Sequence, residues 1–348
     1  MFTPDYRNIL SVMRNERPAR LPVYEHTINF ESIENITGKK FAGLINSKDP
    51  ADLAEFFRHY CGFWKDMTYD TVSYEVCIGG FIGGSAICGG SGKIQTPEDF
   101  AAFPWEEVPK RFWEYATPRY DALCAALPSG MKVVGGVGNG AFELAEGFTG
   151  LEHLPLMAVD YPELHDALYD KIGWLMDTIW GQFLARYKDY FVAARFGDDL
   201  GYKCSLLTHP DVVRRNIIPQ YRRVIKTIHN AGLPHLYHSC GCIFEVMEDI
   251  IAAGINAKHS NEDAIAPFDT WIERYGSRIG LLGGFDMDFL CLKTPSEIRA
   301  AVIEQGARFR ATARGYALGS GNSIPTYLPP ENYLAMLDAA RELRAREK

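Results

Sequence analysis

No window of the chain approaches the roughly 18 consecutive apolar residues that a bilayer span needs. The opening stretch, MFTPDYRNILSVMRNERPAR, mixes charge into an amphipathic helical pattern and lacks the apolar core of a signal peptide. Both features predict a cytoplasmic protein with no membrane partner. Basic charge is also scarce: 36 Lys and Arg stand against 44 Asp and Glu, a formal net charge of −8. Nucleic acid and anionic membranes find no basic face on such a chain, and a polyanionic substrate needs Arg concentrated locally. Eight cysteines (Cys61, Cys77, Cys88, Cys124, Cys204, Cys240, Cys242 and Cys291) are too sparse for the dense framework of a small secreted domain. Reduced thiols are therefore expected. Low-complexity tracts, linkers and short-period repeats are missing too, so nothing divides the chain into tethered or repeating units.

What is present suits a large buried core: 348 residues, 47% hydrophobic and 23% charged. Helical spacing of apolar residues runs through Thr3–Glu16, Phe30–Ile36 and Ala51–Asp66. From Asp70 onward short β-rich runs alternate with helices. The strand candidates are Thr71–Val76, Lys132–Gly135, Phe191–Phe196, Leu233–His238, Ile255–Lys258, Ile279–Gly284 and Gly315–Gly319. Pro162–Tyr187, Pro210–Asn230, Cys242–Ala253, Pro267–Tyr275, Pro295–Ala313 and Pro330–Arg346 read as helices, each but one opening on Pro. Such alternation implies parallel strands with right-handed crossovers. It predicts an α/β chain folded as a (β/α)8 TIM barrel. One domain would cover residues 1–348, with 1–69 as an N-terminal helical extension plus first-strand region and 70–348 as the main barrel.

In such a barrel the chemistry sits at the C-terminal ends of the strands. Polar residues collect there: Tyr74-Glu75, Gly197-Asp198-Asp199, His238-Ser239-Cys240, Lys258-His259-Ser260, Asp286 and Ser320-Gly321-Asn322. The sharpest constellation is Leu236-Tyr237-His238-Ser239-Cys240-Gly241-Cys242. Residues i and i+2 of a strand share a face, so His238 and Cys240 project together, ahead of a Gly that lets the chain turn. An imidazole and a thiolate side by side suit a borderline cation, zinc above all. The competing account is a buried thiol and a core histidine, each satisfied by packing.

Six segments carry a likeness to a known family: GDDLG, THPDVVRRNIIPQYRRVIKTIHNAG, AGLPHLYHSCG, MEDIIAAGINAKHS, YGSRIGLLGGFDMDFL and GYALGSGNSIPTYLPPENYLAML. In these the sequence resembles the uroporphyrinogen decarboxylase superfamily, closer to its corrinoid-linked methyltransferase branch than to the decarboxylases themselves. The resemblance implies a (β/α)8 barrel and one of two activities. One is metal-free decarboxylation of uroporphyrinogen. The other moves a methyl group between a methylcorrinoid protein and a small thiol, such as coenzyme M, that zinc activates. The decarboxylases grip their substrate with an Arg-rich segment near the N-terminus; here Leu21–Asn29 reads LPVYEHTIN, a carboxylate where guanidinium groups belong. The methyltransferase reading keeps His238 and Cys240 as zinc ligands. It implies a corrinoid protein as partner and is compatible with a homodimer. Its usual third ligand, a Cys after the last strand, is replaced by Asn322 in GSGNS. Glu25, His26, Cys242 and His259 are then the candidates for the third position.

The remaining polar groups take roles around that pair. Asp198, Asp199 and Asp286 are candidate catalytic carboxylates, each with a helix or turn cap as the competing role. Glu25, His26, Glu75, His259, Glu262 and Asn322 are candidate substrate contacts. Gly79–Gly84 and Gly89–Lys93 imitate a phosphate loop, but Ile94 follows Lys93 where Ser or Thr is required. Gly136–Ala141 imitates a dinucleotide fingerprint without the later acidic strand end, so nicotinamide binding is not expected. These loops are read as bordering a wide mouth, with Phe81, Phe142, Phe148 and Tyr202 as possible lining. A non-catalytic corrinoid- or tetrapyrrole-binding barrel is the third reading.

Overall fold

The computed structural model describes residues 2–83 and 92–347. Seven strands lie side by side in chain order: β1 (Thr71–Cys77), β2 (Lys132–Gly138), β3 (Phe191–Gly197), β4 (His235–His238), β5 (Ala257–His259), β6 (Gly280–Phe285) and β7 (Tyr316–Ser320). Every neighbouring pair is parallel. The strands read as apolar runs because both faces are covered, one by the barrel interior and one by helices. Leu21–Ile28 takes the eighth position: Val23 bridges Leu318 and Ile28 bridges Ile324, both parallel. On its other side this segment meets β1 through Ser73, whose hydroxyl donates to the His26 carbonyl. The fold is a (β/α)8 barrel.

The N-terminal half of the barrel interior is apolar. Val134, Ala193, Leu236, Ala257, Leu282 and Ala317 fill it with Tyr24, and the first helix, Arg7–Met13, seals the N-terminal end with Ile9, Val12 and Met13. Close approach of that helix demands glycine: a Cβ on Gly280 would stand 2.1 Å from the Val12 carbonyl oxygen. A much larger core lies between strands and outer helices, where Pro162–Tyr187 buries Trp180 and Phe183.

All seven strands fall within three residues of their expected ends, and Pro162–Tyr187 and Pro330–Arg346 match at both ends. Three differences are instructive. The stretch Cys242–Ala253 is helical only over Met247–Ala252; ahead of it the Cys242 amide donates to the Tyr202 carbonyl at 2.7 Å. Pro210–Asn230 is interrupted by a π-helical turn at Val213–Ile217, just ahead of Pro219, which lacks an N–H and crowds the preceding turn. The helix Glu107–Ala126 was not delimited by the pattern, since Pro118 sits inside it. No helix of the described residues is long and apolar enough to cross a membrane. The seven described cysteines are free thiols; Cys88 lies outside the described residues.

Candidate metal and substrate site

Strand pairing brings the two histidines of adjacent strand ends together. His238 of β4 is in register with His259 of β5, and their Nδ1 atoms are 2.8 Å apart. The Nε2 of His259 lies 3.1 Å from the Ser320 carbonyl oxygen at the end of β7. A carbonyl can only accept, so His259 carries its proton on Nε2 and offers a bare Nδ1. His238 must then donate from Nδ1, which leaves its own Nε2 as a bare lone pair. Burial keeps both rings neutral, holding His259 down at about 3 and His238 well below the ordinary histidine value.

That lone pair meets the next side chain of the strand end. Cys240 Sγ is 3.5 Å from His238 Nε2, and Asp199 Oδ1 is 4.0 Å from the same nitrogen. The Cys240 amide donates to Asp199 Oδ1 at 2.8 Å, so one backbone contact ties the carboxylate to the thiol. Asn322 Nδ2 and Ser260 Oγ reach the sulfur at 3.3 and 3.5 Å. Gly241, at φ +79°, makes the turn that follows; a Cβ there would overlap the Gly201 backbone. The turn is pinned by Glu262, which accepts from the Gly241 amide at 3.1 Å. Burial, and then the nearby Asp199 charge, push the Cys240 thiol up to about 12. On its own the sulfur holds its proton.

Two groups of three ligand-type side chains converge among the described residues: Asp199 with His238 and Cys240, and His26 with His238 and His259. In the first, one pair has the spacing of two ligands on a zinc ion, while Asp199 Oδ1, at 4.0 Å from His238 Nε2, stands farther out than a tetrahedral ligand pair. Bonds of about 2.0–2.1 Å to nitrogen and 2.3 Å to sulfur at a tetrahedral angle set the two atoms roughly 3.6 Å apart, close to the separation of His238 Nε2 and Cys240 Sγ. The second has no such pair. His26 stacks face to face on His238, with ring centroids 3.8 Å apart and planes inclined by 15°. Imidazole lone pairs lie in the ring plane, so stacked rings cannot aim at one ion. The Nδ1–Nδ1 contact of His238 and His259 is likewise a hydrogen bond and leaves no space for a cation.

The other expected site residues divide. Glu25 is wholly buried and has both oxygens on Ser320, the amide at 3.1 Å and the hydroxyl; burial raises it to about 8. Neither Glu25 nor Cys242 joins a converging group. Asp198 turns away from the cavity to cap the helix Ala141–Thr149, accepting from the Phe142 and Glu143 amides at 2.9 and 2.8 Å and from the Tyr221 hydroxyl at 2.6 Å. This also disposes of the dinucleotide-like glycines, because Asp198 is the anion that this helix start receives. Asp286 caps Met287–Leu292 through the Asp288 and Phe289 amides. Of the three candidate catalytic carboxylates, Asp199 alone reaches the cavity.

That cavity, about 520 Å³, is lined by His26, Glu75, Asn139, Glu143, Glu146, Asp199, His238, Cys240 and Asn322, with Gly79 and Gly80 at its edge. Gly84 and Gly89–Ser91 of the glycine-rich stretches lie outside the described residues. Phe142 and Phe148 belong to the core and Phe81 packs on Phe112 and Tyr115, while Tyr202 is exposed. No Lys or Arg lines the cavity among the described residues. Sequence reasoning missed three groups. Arg195 is wholly buried beneath the site, its guanidinium on Glu75 at 2.8 Å, the Tyr24 hydroxyl, the His26 carbonyl and the Ser73 hydroxyl. An Arg inside the apolar strand FVAARFG was the available signal. Glu143 and Glu146 stand one helical turn apart in AFELAEGF, a spacing that put both on one face of a helix following a strand end.

No curated protein matches the sequence. Among solved structures the fold is similar to that of a methyltransferase from Methanosarcina mazei, at 16% identity and a TM-score of 0.75, over 98% of this chain and 99% of that one. A glycoside hydrolase family 5 enzyme from Prevotella bryantii aligns over 91% of this chain and 99% of its own, at 9% identity and a TM-score of 0.47. The family model described as uroporphyrinogen decarboxylase (URO-D) matches residues 94–343, from ahead of β2 into the last helix, and the chain belongs to that family.

Proposed function

We propose that this protein is a zinc-assisted methyltransferase that moves a methyl group between a methylcorrinoid carried by a partner protein and a small thiol or other acceptor. The observation that carries the reading is the bare Nε2 of His238, oriented by His259 and facing Cys240 Sγ at 3.5 Å with Asp199 beside it. His238, Cys240 and Asp199 would hold the metal. Bound zinc supplies a lowered thiol pKa, so that an acceptor thiol is presented as the nucleophilic thiolate. Around it the chain keeps the ligands aimed: Ser260 and Asn322 support the Cys240 sulfur, and Arg195 fixes Glu75, Ser73 and the His26 carbonyl below. The likeness to a structure described as a methyltransferase supports this branch of the family. Decarboxylation of a porphyrinogen is disfavoured by a cavity lining with carboxylates and no guanidinium. We assign the whole chain to one barrel unit, with the corrinoid partner approaching the C-terminal face.

Elemental analysis tests the proposal. Freshly purified protein is expected to carry one zinc per chain, and His238→Ala and Cys240→Ala to lose it while remaining folded. Zinc retained by both variants, or none in the parent, sinks it.

A further inference from the structure

The cavity holds one acidic group that nothing else in the site uses. Asp199 belongs to the metal ligands, Glu75 is paired with Arg195, and Glu143 accepts from Asn139 Nδ2 at 2.8 Å and from the Asp199 amide at 3.2 Å. Glu146 remains. It is 7% exposed, it lines the cavity, and its carboxyl has no hydrogen-bond partner among the described residues. A carboxyl on a cavity wall with no protein donor is free to take one from a ligand. Burial raises Glu146 to about 8, with Asp198 and Asp199 adding to the effect. Residues 84–91, outside the described part of the chain, read GSAICGGS and include no Lys or Arg.

We infer that the small substrate of this cavity bears a positively charged nitrogen, which Glu146 receives, and that an anionic thiol such as a thiol-sulfonate is excluded. The identification of this ligand as substrate rests on the methyltransferase reading; its binding does not. An ammonium group matches the site in three ways. It donates hydrogen bonds to a carboxyl that has none, it is attracted by the surrounding carboxylates at an intermediate dielectric, and it meets no fixed cation in the lining. A sulfonate or carboxylate in the same place would face Glu143, Glu146 and Asp199 with neutral donors such as Asn139 and Asn322, and no Lys or Arg among the described residues, to offset them. Discrimination here works as much by repulsion as by attraction.

Three thiols of equal reach separate the charges: 2-aminoethanethiol, 2-mercaptoethanol and 2-mercaptoethanesulfonate, titrated by calorimetry into the zinc-loaded protein. The aminothiol is expected to bind at least about tenfold tighter than the sulfonate, with the neutral thiol between them. Glu146→Gln should erase that preference and Glu146→Asp, which keeps the charge, should retain most of it. The same comparison with ethylammonium and ethanesulfonate on metal-free protein needs no zinc. If the chain takes up no zinc yet binds ethylammonium through Glu146, the metal reading falls and this one stands. Equal or tighter binding of the sulfonates, no measurable preference for ethylammonium, or a preference untouched by Glu146→Gln overturns it.

Discussion

The ring of His238 depends on its neighbour for the position of a single proton. Because the Ser320 carbonyl fixes the His259 tautomer, His259 fixes that of His238. Such outer contacts typically carry 10–100-fold in metal affinity, so His259→Phe is expected to weaken zinc binding by about that factor, as read by competition with a chelator. His259→Gln, whose amide oxygen can still accept from Nδ1, should keep most of it. The two adjacent aspartates separate in the same assay. Asp199→Ala should lose zinc with little change in stability. Asp198→Ala should keep zinc but lose about 2–4 kcal/mol to urea, because it strips a helix start and a tyrosine of a buried acceptor. This contrast marks where the sequence ceased to be legible at the residue scale. His238 and Cys240 were readable, since alternation along a strand puts i and i+2 on one face. Asp198 and Asp199 were not separable, because only the packing of β3 against Ala141–Thr149 decides which carboxylate turns inward. His235 supplies a pH prediction. Burial, with His229 adding a little, holds its ring at about 3, against an ordinary value near 6.5. The unfolded chain therefore takes up this proton first as pH falls. The ring's contribution is whole above pH 6.5 and is lost progressively toward pH 3, about 3 kcal/mol of it by pH 4. His235→Phe, which keeps the packing on Phe196, should flatten the fall in urea midpoint between pH 7 and pH 4.

Elements of this fold were legible wherever one physical constraint dominated. Buried parallel strands must be apolar on both faces, and prolines open helices at their first turn, so β1–β7 and helices such as Pro330–Arg346 stand out from pattern alone. Legibility failed where a tertiary contact overrode the local pattern. Residues 242–246 have helical apolar spacing, yet the loop after β3 takes the Cys242 amide. Glu107–Ala126 hides behind Pro118. The plug formed by Arg7–Met13 was readable as a helix but not as a barrel seal, since its seat is made by β3, β6 and β7, all remote in sequence. Local packing predicts opposite effects at two glycines. Gly280→Ala drives a methyl into the Val12 carbonyl and should cost about 1–3 kcal/mol. Gly181→Ala, inside Pro162–Tyr187 with open space around its Cβ position, should gain up to about 1 kcal/mol from helix propensity. Urea denaturation of the two variants reads both signs; a destabilised Gly181→Ala would contradict the packing described here.

For the whole molecule the deciding quantity is charge. A net −8 is spread over a barrel whose one deeply placed guanidinium under the cavity, Arg195, is already consumed by Glu75 and three neutral acceptors. A polycarboxylate entering the mouth would leave its hydration for a wall with no cation among the described residues, and at an effective dielectric near 20 each contact with an ionised carboxylate at about 4 Å costs roughly 4 kcal/mol before screening. Salt does little to relieve pairs that close and partly buried. Family membership alone would allow a tetrapyrrole ligand, so the charge argument and the family argument point in different directions at this site. Fluorescence titration with coproporphyrin, a tetracarboxylate, chooses between them. The cavity predicts no saturable quenching up to about 100 µM, a binding free energy weaker than roughly −5.5 kcal/mol, and no gain on Arg195→Lys, since that cation faces its own partners and not the opening. Saturable binding in the low micromolar range that falls with added salt would mean that guanidinium groups reach the ligand after all, and would return the porphyrinogen chemistry of the family to this chain.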